Sequence, residues 1–317
     1  MIDKTLAIHC RGLIKDYGSV RAVDGLDLQV HVGECFGLLG PNGAGKTTTV
    51  KLFTGFAHPT AGEAWVAGEK VGDGNLALKA KIGLLPDVPA FYDWMSGRDF
   101  LHFVGELHGL APAEINKRTE ELLALVELTK HGNRRAGGYS RGMRQRLGIA
   151  QALMNRPRVL FLDEPTSALD PLGHRDVLNL ILRLRENTTI FMSSHNLSDI
   201  ERVCDMVGIV NKGKLITVST VDALQKKYAR SIFEMEFMED AGQFAESLKK
   251  ISWLAEPAVT AVNGTPVITV RAIDIERARK ELPRLIAESG LTMTRYEMML
   301  PSIEDIFVEI LANGDKK

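Results

Sequence analysis

Apolar positions along the chain change their spacing three times. Residues 6 to 86 read as strand-rich, 96 to 156 as helical, and 158 to 218 as strand alternating with helix. The runs Cys35-Phe36-Gly37-Leu38-Leu39 and Val159-Leu160-Phe161-Leu162 have no polar side, the pattern of strands buried on both faces. Thr47 to Phe53 reads as a helix after the first run, and Thr188 to Met192 as a further strand. From about Lys226 the pattern starts afresh. Ile232 to Phe237 alternates apolar and acidic; Asp240 opens a helix with Phe244, Leu248 and Ile251 on one face. Val259 to Val262 pairs with Val267 to Val270 across an Asn263-Gly264 turn. A second helix presents Ile275, Ala278, Leu282 and Leu285, with Pro283 expected to kink or end it, and Leu291 to Leu300 follows as a strand. This βαββαβ order predicts a small α+β ferredoxin-like unit. Ser302-Ile303-Glu304-Asp305 then reads as the capped start of a final helix, with Ile303, Phe307, Ile310 and Leu311 on one face. Two domains are expected, residues 1–225 and 226–317.

Chemistry enters where the apolar runs end. Gly40-Pro41-Asn42-Gly43-Ala44-Gly45-Lys46-Thr47 fits G-x-x-x-x-G-K-[ST] and lies between a buried strand and a helix, the setting such a loop needs. Its glycines let backbone N–H groups turn inward around a polyphosphate; Lys46 reaches the outer oxygens, Thr47 offers a hydroxyl to magnesium, and Thr48 continues the anion-facing turn. The Val159 strand ends in two adjacent carboxylates with different tasks. Asp163 is placed to hold magnesium through water, and Glu164 to polarise an attacking water as general base. Ser140 and Gly142 open a long amphipathic helix and together make an N-terminal anion site.

With Tyr139-Ser140-Arg141-Gly142-Met143 between these two segments and Ser193-Ser194-His195 after them, the chain closely resembles the ATPase subunit of an ATP-binding cassette (ABC) transporter of bacterial exporter type. The resemblance covers about residues 4 to 225, with the motifs in the family's order. It implies an α/β P-loop NTPase fold: a RecA-like core, an antiparallel β subdomain and a helical subdomain. It also implies roles. Tyr17 matches the aromatic that stacks on adenine, Asp87 stands at the Q-loop position, Ser140 to Met143 form the signature, Asp170 matches the D-loop and His195 the switch histidine. ATP and Mg2+ are the implied ligands. Two departures stand out. The signature is Ser-Arg-Gly-Met where Ser-Gly-Gly-Gln is familiar, so Arg141 either adds charge near a phosphate or is simply solvated. Asp87 replaces Gln or Glu; it is shorter and anionic, and is kept as a metal-side residue.

Composition narrows the partners. Lys and Arg total 39 against 40 Asp and Glu, which leaves no electrostatic footprint for nucleic acid. The three cysteines, Cys10, Cys35 and Cys204, sit in mostly apolar contexts and read as reduced core thiols. The N-terminal residues lack a signal-peptide pattern, and no apolar run approaches the roughly 18 residues of a membrane span. A separate integral-membrane permease is therefore expected, with the chain peripheral on the cytoplasmic face of the membrane. The cluster Phe91, Tyr92, Trp94 just past Asp87 is the candidate partner surface, since the family receives its membrane subunit there. One nucleotide-loop set and one signature per chain imply a homodimer on ATP binding.

The expected function is ATP hydrolysis that powers export of a small or amphipathic molecule. The rival is a soluble cassette ATPase acting on ribosomes or DNA; relatives of that kind carry two cassettes or long heptad arms, and this chain has neither. For the C-terminal unit, regulation, dimer support and stabilisation stay open, with dimer support favoured.

Overall fold

The structure, a computed structural model, describes residues 5–72, 74–227, 232–262 and 265–299. The expected turn at Asn263-Gly264 and the final helix after Ser302 lie outside the described residues. The chain divides into two compact units, Met1–Val221 and Asp222–Lys317, and the expected boundary at 225/226 falls within the helix that begins at this division, Val221–Lys227.

In the first unit, β1 (Leu6–Tyr17), β2 (Val20–His31), β4 (Ala61–Val66) and β5 (Glu69–Lys70) form an antiparallel sheet in the order β2-β1-β4-β5. The larger sheet has the order β10-β9-β3-β8-β7-β6, drawn from β3 (Cys35–Leu39), β6 (Ile82–Leu85), β7 (Val159–Asp163), β8 (Thr189–Ser194), β9 (Met206–Asn211) and β10 (Lys214–Thr220). Five of its strands run parallel and β10 closes the edge antiparallel to β9. Strands β3, β7 and β8 are buried along their whole lengths, as the apolar runs Cys35–Leu39 and Val159–Leu162 require and as the apolar middle of β8, Ile190-Phe191-Met192, allows. Of the helices, α1 (Lys46–Phe53), α2 (Leu76–Lys81), α5 (Arg141–Ala152) and α7 (Leu197–Val203) pack on strands of this sheet and α6 (Pro171–Leu184) on α5 and α7, whereas α3 (Gly97–Leu107) and α4 (Pro112–Leu125) pack on each other and on α5, the expected helical subdomain.

Four phenylalanines join α1 to the central strands. Phe53 meets Phe191 edge-on at 5.5 Å and Phe161 at 6.4 Å, and Phe36 stacks on Phe191 at 5.5 Å. All four are fully buried, and each contributes about 1.5–3 kcal/mol relative to exposure. That cluster fixes the loop before α1 against the carboxyl ends of β7 and β8.

In the second unit, after α8 (Val221–Lys227), the elements run β11 (Ile232–Phe237), α9 (Gly242–Leu248), β12 (Leu254–Val262), β13 (Thr265–Ala272), α10 (Ile275–Ser289) and β14 (Met293–Met299). Its antiparallel sheet has the order β12-β13-β11-β14. Phe233, Met235 and Phe237 of β11 share a core with Ala245 and Leu248 of α9 and Ala278, Leu282 and Ile286 of α10. Two local expectations shift. Asp240 Oδ1 accepts from Gly242 N at 3.0 Å, but α9 stops at Leu248, leaving Ile251 packed on the core from the following turn. Pro283 does not end α10: the helix runs on to Ser289, and burial of Leu282 and Ile286 beside it offsets the backbone bond that proline removes.

Cys10, Cys35 and Cys204 are all buried and unbridged, with the sulfurs of Cys35 and Cys204 3.8 Å apart. Burial pushes the Cys10 thiol up to about 12 and raises Cys204 well above its ordinary value. The folded protein is therefore expected to resist a chromogenic disulfide reagent at about pH 8, while guanidinium unfolding releases three titratable thiols. Rapid labelling of any of them without unfolding would contradict this burial.

Candidate functional site

The loop from Gly40 to Gly45 joins β3 to α1, and its backbone demands glycine at two points. Gly45 has φ +102°, and a Cβ there would lie 2.3 Å from Ala22 O; at Gly40 a Cβ would lie 2.5 Å from Val210 O. Pro41 and Ala44 pack inward while Asn42 and Gly43 are exposed at the tip. Helix α1 carries no acid in its first turn, so its N-terminus, with Thr47 and Thr48, is open to an anion. Lys46 Nζ donates to Gly40 O at 2.7 Å and Pro41 O at 3.3 Å, and lies 3.2 Å from Glu164 Oε1.

The register between β7 and β8 sets Asp163 opposite Ser193. Ser193 Oγ donates to Asp163 Oδ1 at 2.5 Å, and Thr47 Oγ1 donates to the same oxygen at 3.2 Å. Burial raises the Asp163 carboxyl above the ordinary value; the Ser193 and Thr47 hydrogen bonds pull it back, and the charges of Asp87 and Glu164 push it up again. Glu164 then leaves the strand at φ 48°, a left-handed backbone that costs about 1–3 kcal/mol at a non-glycine residue. It is held there because its N–H donates to Ser193 Oγ at 3.1 Å and to Ser193 O at 3.2 Å. The turn aims the carboxylate between two nitrogen groups: Oε1 towards Lys46, and Oε2 2.7 Å from His195 Nδ1 and 3.3 Å from His195 N.

The other expected residues are placed around this centre rather than in it. Tyr17 is exposed at the end of β1, with Lys15 Nζ 4.8 Å over its ring. The turn at Gly213 ties β2 to the phosphate loop, since Asp24 N donates to Gly213 O at 2.9 Å and Gly213 N to Ala44 O at 3.1 Å. Asp87 is exposed beyond β6, near enough to bear on Asp163. Ser140 is the N-cap of α5, its Oγ accepting from Met143 N at 3.3 Å, and Asp170 caps α6 by accepting from Gly173 N at 3.2 Å. Among the described residues, Ser140 and Gly142 do not enter the bonds around Lys46 and Glu164. Gly142 packs beside Gly173, where a Cβ would find ordinary contact at 3.6 Å.

Two residues escaped the motif reading. Ser193 holds Asp163 and the Glu164 peptide at once; a polar residue ending an otherwise apolar strand was the available signal. Asp199, fully buried in the first turn of α7, accepts from Thr166 Oγ1 at 2.6 Å and lies 2.8 Å from His174 Nε2. It links the segment after Glu164 to α6 and to the helix that follows His195. An acid four residues after that histidine was visible, but its partners were not.

No group of three or more His, Cys, Asp or Glu forms a metal cage among the described residues. The oxygen pair of Thr47 and Asp163 suits a hard cation that keeps waters and takes its remaining ligands from phosphate. A cavity of about 960 Å³ is lined by Arg158, Val159 and Thr189 at the amino ends of β7 and β8. It therefore opens away from the carboxyl ends where the charged groups converge, which is where ligands bind in parallel sheets.

A glycine loop, a lysine at a helix start and a strand-end acid pair define a P-loop nucleotide hydrolase. The family described as ABC transporter matches residues 23–167, and the family described as ATP-binding protein DrrA1-3-like, C-terminal domain, matches residues 220–311. An uncharacterized ABC transporter ATP-binding protein of Bacillus subtilis (strain 168), YxlF, is 39% identical over 307 residues, covering 96% of this chain and 99% of its own length. The bacitracin transport ATP-binding protein BcrA of Bacillus licheniformis is 35% identical over 311 residues, covering 97% and 98%. A solved ATP-binding subunit of an ABC transporter superposes with TM-score 0.63 at 27% identity, over 70% of this chain and 93% of that one. The chain belongs to the ATP-binding proteins of ABC transporters, and it is an ATPase.

Ser193→Ala removes one hydroxyl shared by Asp163 and Glu164 N. It is expected to lower stability by about 1–2 kcal/mol in chemical denaturation and kcat by roughly tenfold or more, with ATP binding retained. A steady-state ATPase assay at unchanged kcat would show that the hydroxyl does not position the carboxylates.

Proposed function

We propose that this chain hydrolyses ATP as one half of a head-to-tail homodimer and thereby powers a separate integral-membrane permease, on whose cytoplasmic face it sits. The observation that carries this reading is the Glu164 carboxylate, aimed by a strained backbone between Lys46 and His195. Glu164 takes a proton from the attacking water, His195 orients that water and the γ-phosphate, and Lys46 leaves Glu164 to follow charge developing on the transferred phosphoryl group. Thr47 and Asp163 would hold Mg2+, with Asp87 on its outer side, and the bound ion would supply neutralisation of the phosphate oxygens. Gly40 to Thr48 cradle the phosphates, and Tyr17 stacks on adenine with its free face, opposite Lys15.

Gly142 supports the second copy. Among the described residues nothing requires a glycine in that first helical turn, where it weakens α5, and this supports a contact of the bare backbone with the second copy. Ser140 and Gly142 face the partner's γ-phosphate. The second unit, read as ferredoxin-like from its strand order and two helical connections, supports that dimer.

The permease contact is read from exposed apolar surface. Tyr92 and Trp94 are 50% and 67% exposed, whereas Phe91 is turned inward on Phe100 at 5.0 Å. A groove of about 470 Å³ near α1 and α3, lined by Phe56, Pro86, Val104 and His108, adds Lys51 and Lys79 at its wall. It suits an amphipathic segment with acidic flanks. Among the described residues no helix is long and apolar enough to cross a membrane, which supports a separate permease as the translocation path. A relative named for bacitracin transport supports a small or amphipathic cargo.

Glu164→Gln is expected to bind ATP, to lose about 10²–10⁴-fold in turnover, and to elute with ATP as a dimer in size-exclusion chromatography. Near-normal hydrolysis in that variant would remove Glu164 from the base role. For the partner surface, Tyr92→Ala with Trp94→Ala should weaken co-purification with the permease by about 2 kcal/mol or more, while basal ATPase stays close to normal. Undiminished co-purification of a folded double variant would place the partner elsewhere.

A further inference from the structure

We propose that Arg144 is a positioning residue that couples the aromatic loop, residues 91–95, to the signature helix α5. The inference rests on the reading of Ser140 and Gly142 as nucleotide-facing and adds the part through which that event reaches the loop.

Arg144 stands one turn after Ser140, its N–H donating to Ser140 O at 2.9 Å, so its backbone is fixed to the helix start. Its side chain leaves the helix for the loop. Nη1 donates to Asp93 Oδ1 at 2.8 Å and to Ala136 O at 3.2 Å, and the guanidinium carbon lies 5.2 Å from the centre of the Phe91 ring. A planar cation that bonds a carboxylate at its edge and covers an aromatic with its face holds two loop residues at once, which a lysine cannot reproduce. The loop is itself firm: Phe91 meets Phe100 edge-on, Tyr92 meets Phe103 at 5.7 Å, and Trp94 lies 5.9 Å from Tyr92. Displacement at one end therefore moves the other instead of dissipating in a slack segment.

Arg144 also lines a cavity of about 410 Å³ with Asp87, Arg141, Gln145, Ser167 and Leu169. Gln145 Nε2 is buried without a hydrogen-bond partner. Both departures in the sequence, Asp87 and Arg141, thus meet Arg144 in one space between the loop after β6, α5 and the segment before α6. Arg144 is the member that also grips residues 91 and 93, and so connects this space to Trp94.

Trp94 reports the coupling. In a background of Trp65→Phe and Trp253→Phe it is the one remaining tryptophan of three, and Mg-ATP is expected to shift its emission. Arg144→Ala should reduce the amplitude of that response by about fivefold or more, with affinity for a fluorescent ATP analogue changed by less than about twofold. Asp93→Asn, at an exposed side chain that does not threaten folding, should act in the same direction, and the double variant should add no more than the larger single effect. Arg144→Lys is expected to fall between parent and Arg144→Ala. An unresponsive parent, an undiminished response in Arg144→Ala or Asp93→Asn, or additive losses would each overturn the coupling. Ser140→Ala, followed by ATP-dependent dimerisation on size exclusion, tests the underlying reading separately: dimerisation undisturbed there removes the nucleotide-facing role while leaving the Trp94 measurements to judge Arg144.

Discussion

The site depends on one join between neighbouring strands. Where β7 ends, the Glu164 N–H finds both the hydroxyl and the carbonyl of Ser193, the residue paired with Asp163 across the sheet. Without those acceptors a buried N–H in a left-handed turn would be doubly unfavourable, in backbone strain and in an unmade hydrogen bond. With them the turn is fixed, and the two adjacent carboxylates point different ways: Asp163 to Thr47, Glu164 to Lys46 and His195. An extended continuation of β7 would have sent successive side chains to opposite faces of the sheet, and Asp163 and Glu164 could not both have met the start of α1, at Thr47 and Lys46.

Burial makes this arrangement both costly and sensitive. Lys46, Asp163 and Glu164 are each less than a tenth exposed, and buried charges persist only where partners compensate for lost water. Here the partners are one another, the loop carbonyls and the hydroxyls of Thr47 and Ser193. A triphosphate entering the loop competes for Lys46 and so alters the surroundings of Glu164 in the same step. Asp199 extends the network outward through Thr166 and His174, so the segments on either side of the site share one buried carboxylate.

The fold separates tasks by element. Core strands hold the charged groups, and the phenylalanine cluster beneath α1 packs without slack. Surface loops carry the exposed aromatics: Tyr17 at a hairpin end, Tyr92 and Trp94 beyond Asp87. In the second unit the core faces one side of the sheet, while Glu234, Glu236, Arg295 and Glu297 form ion pairs on the strands β11 and β14. Those charges keep that sheet surface solvated and oppose its collapse onto an apolar surface.

The sequence by itself determined everything that local spacing encodes. The apolar runs located β3 and β7, glycine and lysine spacing located the phosphate loop, and a serine before a helical period located the start of α5. The βαββαβ order of the second unit was readable for the same reason, since periods of two and 3.6 are properties of contiguous segments. Where local signals competed with packing they misplaced detail: Pro283 reads as a break, yet the buried side of α10 carries the helix past it. Only the tertiary structure decided which strand lies beside which. Ser193 meets Asp163 although 30 residues separate them, and Arg144 reaches Asp93 across 51. It also decided that Gly142 has no steric duty among the described residues and that Asp87 and Arg141 border one cavity. Contacts of that kind follow from how helices and strands pack at long range, and the residues on either side of each partner carry no local trace of the pairing.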